Sequence, residues 1–224
     1  IFMSIYWIVG SIYYFFIKEK PFNRLLLVKS EHQQVEGISF LLACYNESET
    51  VQDTLSSVLS LEYPEKEIII INDGSSDNTA EIIYEFKKNH DFKFVDIEVN
   101  RGKANALNEG IKQASYEYVM CLDADTVIDD DAPFYMIEDF KKNPKLGAVT
   151  GNPRIRNKSS ILGKIQTIEY ASIIGCIKRS QSLAGAINTI SGVFTLFKKS
   201  ALKDVGYWDT DMITEDIAVS WKLH

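Results

Sequence analysis

Along the 224 residues, apolar runs of strand length alternate with stretches whose apolar positions recur every three or four residues. "ISFLLACY" (38–45) predicts a strand. Asn46 and Glu49 come next at capping-box spacing, which predicts a helix from there to about Leu61. "EIIIIND" (67–73) is a β-branched run, apolar on both faces, as in a central parallel strand. Ile82, Ile83 and Phe86 give residues 77–89 a helical period, and "FKFVDIEV" (92–99) alternates like a less buried strand. Residues 102–114 read as helix and "YEYVMCLD" (116–123) as strand. The β-α-β-α-β-α-β order predicts an α/β fold built on a doubly wound, mostly parallel sheet with right-handed crossovers. Such sheets hold ligands beyond the carboxyl ends of their strands, and two of these strands end in Asp73 and Asp123.

The second half is less regular. "LGAVTGNPRIR" (146–156) reads as a strand turning at Gly151–Pro153, and 161–179 as one long helix with a broad apolar stripe. "TISGVFTLF" (189–197) reads as a strand or strand pair, and a helix opens near Thr214 with Glu215 and Asp216 in its first turn.

The first seventeen residues carry no charge. At ~1.5 Å per residue they reach about 25 Å, slightly short of a bilayer span, and the stretch opens at Ile1 as if cut. Tyr6, Trp7, Tyr13 and Tyr14 suit a membrane interface, and no small-residue cleavage site succeeds them. Residues 1–17 are therefore expected to be a transmembrane anchor rather than a core helix or signal peptide. Lys18, Lys20, Arg24 and Lys29 put the remainder of the chain on the cytoplasmic side, with 18–37 a linker and 38–224 the catalytic domain.

Composition narrows the chemistry. At 46% hydrophobic the chain can bury a sizeable core, and a net charge of −7 argues against nucleic-acid binding. Cys44, Cys121 and Cys176 form no CxxC and read as buried, reduced thiols; three histidines without HExxH make a histidine-based zinc site improbable.

Four clusters remain. In "LDAD", Asp123 and Asp125 share one face of an extended strand, ~6.6 Å apart, and would repel unless a cation lay nearby. Oxygen-only ligation suits Mg²⁺ or Mn²⁺ carried with a diphosphate. In "NDGSSDNT" (72–79) a capped strand-to-helix turn accounts for Gly74 and Asp77 but calls for no acid at Asp73, which could instead hydrogen-bond a nucleoside. "NRGKANALNEG" sets Arg101 and Lys103 around a glycine at a helix start, an anion site that is neither a P-loop nor GxGxxG. In "DTDMITEDIAVSW", helix capping would by itself explain Glu215 and Asp216.

Taken in order, "ACYNE" (43–47), "DGSSD" (73–77), "GKANALN" (102–108), "DAD" (123–125), "ISG" (190–192) and "TED" (214–216) resemble the motif set of the family 2 glycosyltransferases. They are most similar to the processive membrane synthases of cellulose, chitin, hyaluronan and poly-N-acetylglucosamine, with "ACYNESET" and "MITEDIAVSWKLH" closest to the last. The resemblance implies a GT-A-like domain that inverts configuration as it adds N-acetylglucosamine from a UDP-sugar donor to a growing β-linked polysaccharide at the membrane. It implies that Tyr45, Glu47 and Asp73 meet the nucleotide and that Lys103 helps hold it. Asp123 and Asp125 would bind UDP with Mg²⁺ or Mn²⁺, Asp125 as the direct ligand. Asp216 would be the general base, beside Glu215, with Ser191 and Gly192 near the acceptor. A small membrane accessory subunit is a further expected partner, and nucleic acid is not. The QxxRW motif of these synthases would come after "TED", beyond His224, so the chain is expected to be a fragment. A nucleotidyltransferase would want a Gly/Arg-rich loop where this chain has "ACYNESE"; a non-catalytic UDP-binding module would have no use for Asp216.

Overall fold

The computed structural model describes residues 2–19, 35–123, 126–153, 161–185, 187–192, 194–212 and 214–224. The chain divides into two compact units: residues 35–151 with 190–223, and residues 1–34 with 152–189 and His224. Residues 152–189, inside the domain expected over 38–224, thus cluster with the N-terminal segment.

The larger unit is built on a six-stranded sheet. Strands β1 (Ile38–Cys44), β2 (Lys66–Asp73), β3 (Lys93–Ile97), β4 (Tyr118–Asp123), β5 (Ala148–Thr150) and β6 (Phe194–Lys198) lie in the order β3-β2-β1-β4-β6-β5. β1 through β4 pair parallel, whereas β6 runs antiparallel to both β4 and β5. Helices α2 (Val51–Leu59), α3 (Thr79–Lys87), α4 (Lys103–Gln113), α5 (Ala132–Lys142), α8 (Lys199–Asp204) and α9 (Glu215–Lys222) cover its two faces.

The isoleucine run of β2 shows why both faces are covered. Ile68 and Ile70 join one cluster with Phe40, Leu42, Val51, Leu55, Ile83 and Phe140. Ile69 and Ile71 join the other, with Leu41, Leu107, Ile111, Cys121 and Trp208. Each buried isoleucine contributes roughly 1.5–3 kcal/mol, and a one-sided sheet would forfeit half of them. On the second face Gly110 lets α4 press close: a Cβ there would lie 2.4 Å from Leu41 Cδ2.

The four strands expected in the first half are present. Of the strand expected over 146–156 only Ala148–Thr150 is strand, with 154–156 outside the described residues, and the one expected over 189–197 starts at Phe194. Helix boundaries shift as well. The helix predicted from Asn46 begins at Val51, because residues 46–48 pair instead with the loop after β2. Asn46, in the left-handed region at φ 54°, accepts the Ser76 N–H at 2.8 Å and donates its own to Ser75 Oγ at 3.0 Å. Glu47 N–H donates to Thr79 Oγ1 (2.8 Å) and Ser48 N–H to Asp77 Oδ2 (3.1 Å). These four bonds between loops displace a local cap. Two helices, α5 and α8, lie where the sequence reading assigns none; in α5, Pro133 and the buried Met136, Ile137 and Phe140 do keep a helical period.

Burial opposes ionisation of Asp77, but hydrogen bonds from Thr79 and Ser48 outweigh it and bring the carboxyl down to about 2. Glu67, at the start of β2, reaches about 2 in the same way: burial opposes, and bonds from Lys93, Ser39 and Ser115 prevail. Both folded values lie below the ordinary ones. The stability they contribute is therefore complete above those ordinary values and is lost as pH falls through the folded ones. Thermal unfolding monitored by circular dichroism should show a steady Tm down to about pH 4.5 and a fall from there toward pH 2. Asp77→Asn should flatten that fall, and an unchanged slope would remove Asp77 as its source.

In the smaller unit, α1 (Phe2–Tyr14) runs into a π-helical turn, Phe15–Glu19. The helix expected over 161–179 is α6 (Ile161–Ser172), a π-helical turn (Ile173–Lys178) and α7 (Arg179–Leu183). Gly10 permits a close approach to Ser180, where a Cβ would sit 2.4 Å from Ser180 Oγ; that hydroxyl donates to Trp7 O at 2.7 Å. Arg179 forks onto Glu19 at 2.8 and 3.1 Å. Phe2, Ile5, Ile8, Val9, Ile12 and Phe16 are all at least half exposed. Among the described residues no helix is long and apolar enough to cross a membrane, the helix over the expected anchor included.

Candidate active site

Parallel β1 to β4 direct the loops at their carboxyl ends to one sheet edge. The chain moves outward from β1 to β3 and then returns to β4 on the other side of β1, so the topological switch point lies between β1 and β4. Because β6 is antiparallel and Phe194 pairs with Leu122, the residues before it, 190–192, arrive at this same edge.

The first wall is the pair of stitched loops after β1 and β2. Tyr45 stands half exposed just past β1. Glu47 does not extend freely from its loop: Oε2 accepts the Thr50 hydroxyl at 2.6 Å, next to the start of α2. Asp73 is buried, with Oδ2 accepting from Asn100 Nδ2 (3.0 Å) and Oδ1 from the Arg101 N–H (3.1 Å). An acid at 73 thus has a structural use that the sequence reading lacks, which is holding the 98–102 loop over the end of β2. Gly74, at φ 63°, belongs to the same contact, since a Cβ there would lie 2.3 Å from Asn100 N. Arg101 takes part through its backbone, whereas Lys103, the first residue of α4, turns its side chain toward β4.

The centre joins four distant stretches. Lys103 Nζ pairs with Asp123 Oδ1 and also donates to Gly192 O at 3.3 Å. Asp216 also lies against Gly192: a Cβ at 192 would come within 3.3 Å of Asp216 Oδ2. Asp123, Lys103, Gly192 and Asp216 are therefore consecutive neighbours, and Asp216 approaches the glycine with a carboxylate oxygen. Its other oxygen, Oδ1, accepts the Ile217 N–H at 2.8 Å. Glu215 is half-buried in the first turn of α9, and Thr214 at its N-cap makes no side-chain bond to that helix. Ser191 is held by its backbone, its N–H on Thr150 Oγ1 (3.0 Å) and its carbonyl on Thr195 Oγ1 (2.6 Å).

The cation beside Asp123 is thus the Lys103 ammonium. Asp125 lies outside the described residues. The end of β4 nevertheless fits a hard divalent ion: the lysine engages Oδ1 of Asp123 and leaves Oδ2 to offer. Thr126, whose N–H donates to Asp123 O at 3.0 Å, has a buried hydroxyl with no hydrogen-bond partner among the described residues. Among the described residues no three His, Cys, Asp or Glu side chains gather into a closed cage. An incomplete oxygen set is what Mg²⁺ or Mn²⁺ uses when a diphosphate supplies the rest. Burial pushes the Cys44 and Cys121 thiols up to about 12, so neither can serve as a thiolate nucleophile.

Sequence reasoning overlooked Thr150, Thr195, Ser220 and Asn108. The Asn108 side chain clasps the backbone of Trp208, donating to its carbonyl at 2.8 Å and accepting its N–H at 3.2 Å. The available signal was the four-residue spacing of Asp216 and Ser220 on one helix; strand threonines give no such signal.

Comparison with known proteins agrees with this arrangement. Residues 39–206 match the family described as Glycosyl transferase family 2. Over all 224 residues the chain is 99% identical to a poly-beta-1,6-N-acetyl-D-glucosamine synthase of Staphylococcus epidermidis and 77% identical to one of Staphylococcus aureus strain COL. It spans 54% of the length of each. Among solved structures, the mannosyltransferase PcManGT from Pyrobaculum calidifontis, in complex with GDP-Man and Mn²⁺, shares the fold with a TM-score of 0.69 and 21% identity, over 99% of this chain and 61% of that one. Staphylococcus aureus TarS 1–349 in complex with UDP-GlcNAc shares it with a TM-score of 0.60 and 20% identity, over 84% of this chain and 53% of that one. With the motifs gathered on one sheet edge and most of the chain matched, this protein belongs to glycosyl transferase family 2.

Proposed function

We propose that this chain is the catalytic part of a membrane synthase that transfers N-acetylglucosamine from UDP-N-acetylglucosamine to a growing poly-β-1,6-N-acetylglucosamine chain, inverting the anomeric centre. The observation that carries this reading is the sequence of neighbours Asp123–Lys103–Gly192–Asp216. On this reading the lysine that binds the pyrophosphate stands one residue from the carboxylate that deprotonates the acceptor alcohol. The name of the 99% identical relative supports the choice of sugar and linkage.

In the mechanism, uridine lies against Tyr45 and the Asp73 turn, and the pyrophosphate reaches Lys103 at the start of α4. Free N–H groups at that helix end add positive potential. The acceptor sugar rests on Ser191 and Gly192 and presents its 6-hydroxyl to Asp216. As the new C–O bond forms at the anomeric carbon, the hydroxyl proton passes to Asp216 and the bond to the β-phosphate oxygen breaks. Lys103 offsets the negative charge that collects on the departing UDP. One displacement on an α-linked donor gives a β-linked product. Asp123 and Asp125 would hold Mg²⁺ or Mn²⁺, which when bound would neutralise part of the diphosphate charge.

The exposed apolar residues of α1 support its place in a membrane anchor, with the basic residues after it keeping the catalytic unit cytoplasmic; a small membrane partner is part of the same proposal. The test is turnover by the full-length protein in membranes. UDP-N-acetylglucosamine should be consumed, with a β-1,6-linked polymer formed, while chelation of divalent cations should abolish the reaction. Preference for UDP-glucose, or undiminished turnover after chelation, would reject the donor or the metal assignment respectively.

A further inference from the structure

We infer that Ser220, with Thr150 and Thr195, is a positioning residue that fixes Asp216 relative to Lys103 by clamping the 190–192 segment. The inference rests on the glycosyltransfer reading above and assigns a task to residues outside the family motifs. The 190–192 segment precedes β6 and has no ladder of its own, so its backbone groups need partners from elsewhere. Three hydroxyls provide them. Ser220 Oγ accepts the Ile190 N–H at 2.8 Å, Thr150 Oγ1 accepts the Ser191 N–H at 3.0 Å, and Thr195 Oγ1 donates to Ser191 O at 2.6 Å. Thr150 and Thr195 also bond each other at 3.2 Å, directly across the β5–β6 pair.

Ser220 has a second bond that makes it more than a local prop. Its hydroxyl donates to the carbonyl of Asp216 at 2.9 Å, one turn back along α9. The same oxygen therefore holds the backbone of Asp216 and the entry to the glycine that Asp216 faces. Gly192 then reports that position to the donor side, because its carbonyl accepts from Lys103. Ser220 and Thr195 are buried, so water cannot replace the lost partners cheaply. Removing the Ser220 hydroxyl leaves the Ile190 N–H without an acceptor and lets the 190–192 segment move independently of α9. Displacement of about 1 Å at a reacting group can cost on the order of 10²-fold in rate.

The test uses the full-length enzyme in membranes. Ser220→Ala should lower kcat roughly 10- to 100-fold while the KM for UDP-N-acetylglucosamine and the affinity for UDP stay within about twofold. Ser220→Thr, which keeps the hydroxyl, should restore most of the rate, and Thr150→Val should shift kcat in the same direction. Should Ser220→Ala fail to fold, Thr150→Val provides the same kcat-against-KM comparison. Wild-type kcat in both hydroxyl-free variants, a parallel loss of UDP affinity, or no rescue by threonine in a folded protein would overturn the inference. Hydrogen exchange separates this from failure of the glycosyltransfer reading. The Ile190 amide should lose protection in Ser220→Ala, and unchanged exchange there would overturn the clamp even if the wild type proves inactive on the sugar nucleotide.

Discussion

Asp216→Asn in the full-length enzyme is expected to lose at least about 10³-fold in kcat, roughly 4 kcal/mol of transition-state stabilisation, while its UDP affinity and Tm remain those of the wild type. Asparagine keeps the shape and the acceptor for the Ile217 N–H but cannot take a proton from the acceptor alcohol. Position makes the expectation specific. Asp216 Oδ2 lies against Gly192, the glycine whose carbonyl accepts from Lys103, so the proposed base and the proposed pyrophosphate ligand flank one residue. Initial rates of polymer formation and calorimetric titration with UDP check the two halves separately. Residual turnover within tenfold of wild type would remove Asp216 as the base, whereas a loss of UDP affinity equal to the loss of rate would recast it as a binding residue.

Lys103→Met should act on the other neighbour of the same glycine. The substitution keeps the stem of the side chain and removes the ammonium that pairs with Asp123 and donates to Gly192 O. UDP should bind about tenfold more weakly, and kcat should fall a further ~10²-fold, since the charge on the leaving group develops mainly in the transition state. Lys103 and Asp123 side chains are each about a third exposed, so the pair adds little to folding and Tm should barely move. The expectation fails if UDP affinity and rate are both retained, or if the variant simply unfolds. A second consequence concerns metal. With its lysine gone, Asp123 regains both oxygens, so Mn²⁺ measured by electron paramagnetic resonance without nucleotide should bind at least as tightly as to the wild type.

Much of the sheet was legible because the hydrophobic effect writes it into local pattern. Ile68–Ile71 could only be a strand buried on both sides, and the structure divides them between two helix layers. Helix starts were less legible because capping is a competition. Asn46 and Glu49 have the right spacing, yet Asn46 takes the Ser76 N–H, a partner thirty residues away that no local rule could supply. α5 was missed although Pro133, Met136, Ile137 and Phe140 keep a helical period. Within the site, the motif residues were found as separate stretches. Their local uses were not: Asp73 secures the 98–102 loop and Glu47 meets Thr50.

Local pattern in the chain already marks which strands form the parallel half of the sheet and that Asp73 and Asp123 end two of them, because apolar periodicity and strand length are local quantities. Tertiary structure alone decided that β6 runs antiparallel, and this brings residues 190–192 to the ligand edge rather than the opposite one. It alone placed Lys103 on Asp123 and Asp216 against Gly192, contacts that span 20 and 24 positions along the chain. Such contacts depend on how helices pack across a sheet, and burial of the whole core, not any short stretch of residues, fixes that packing.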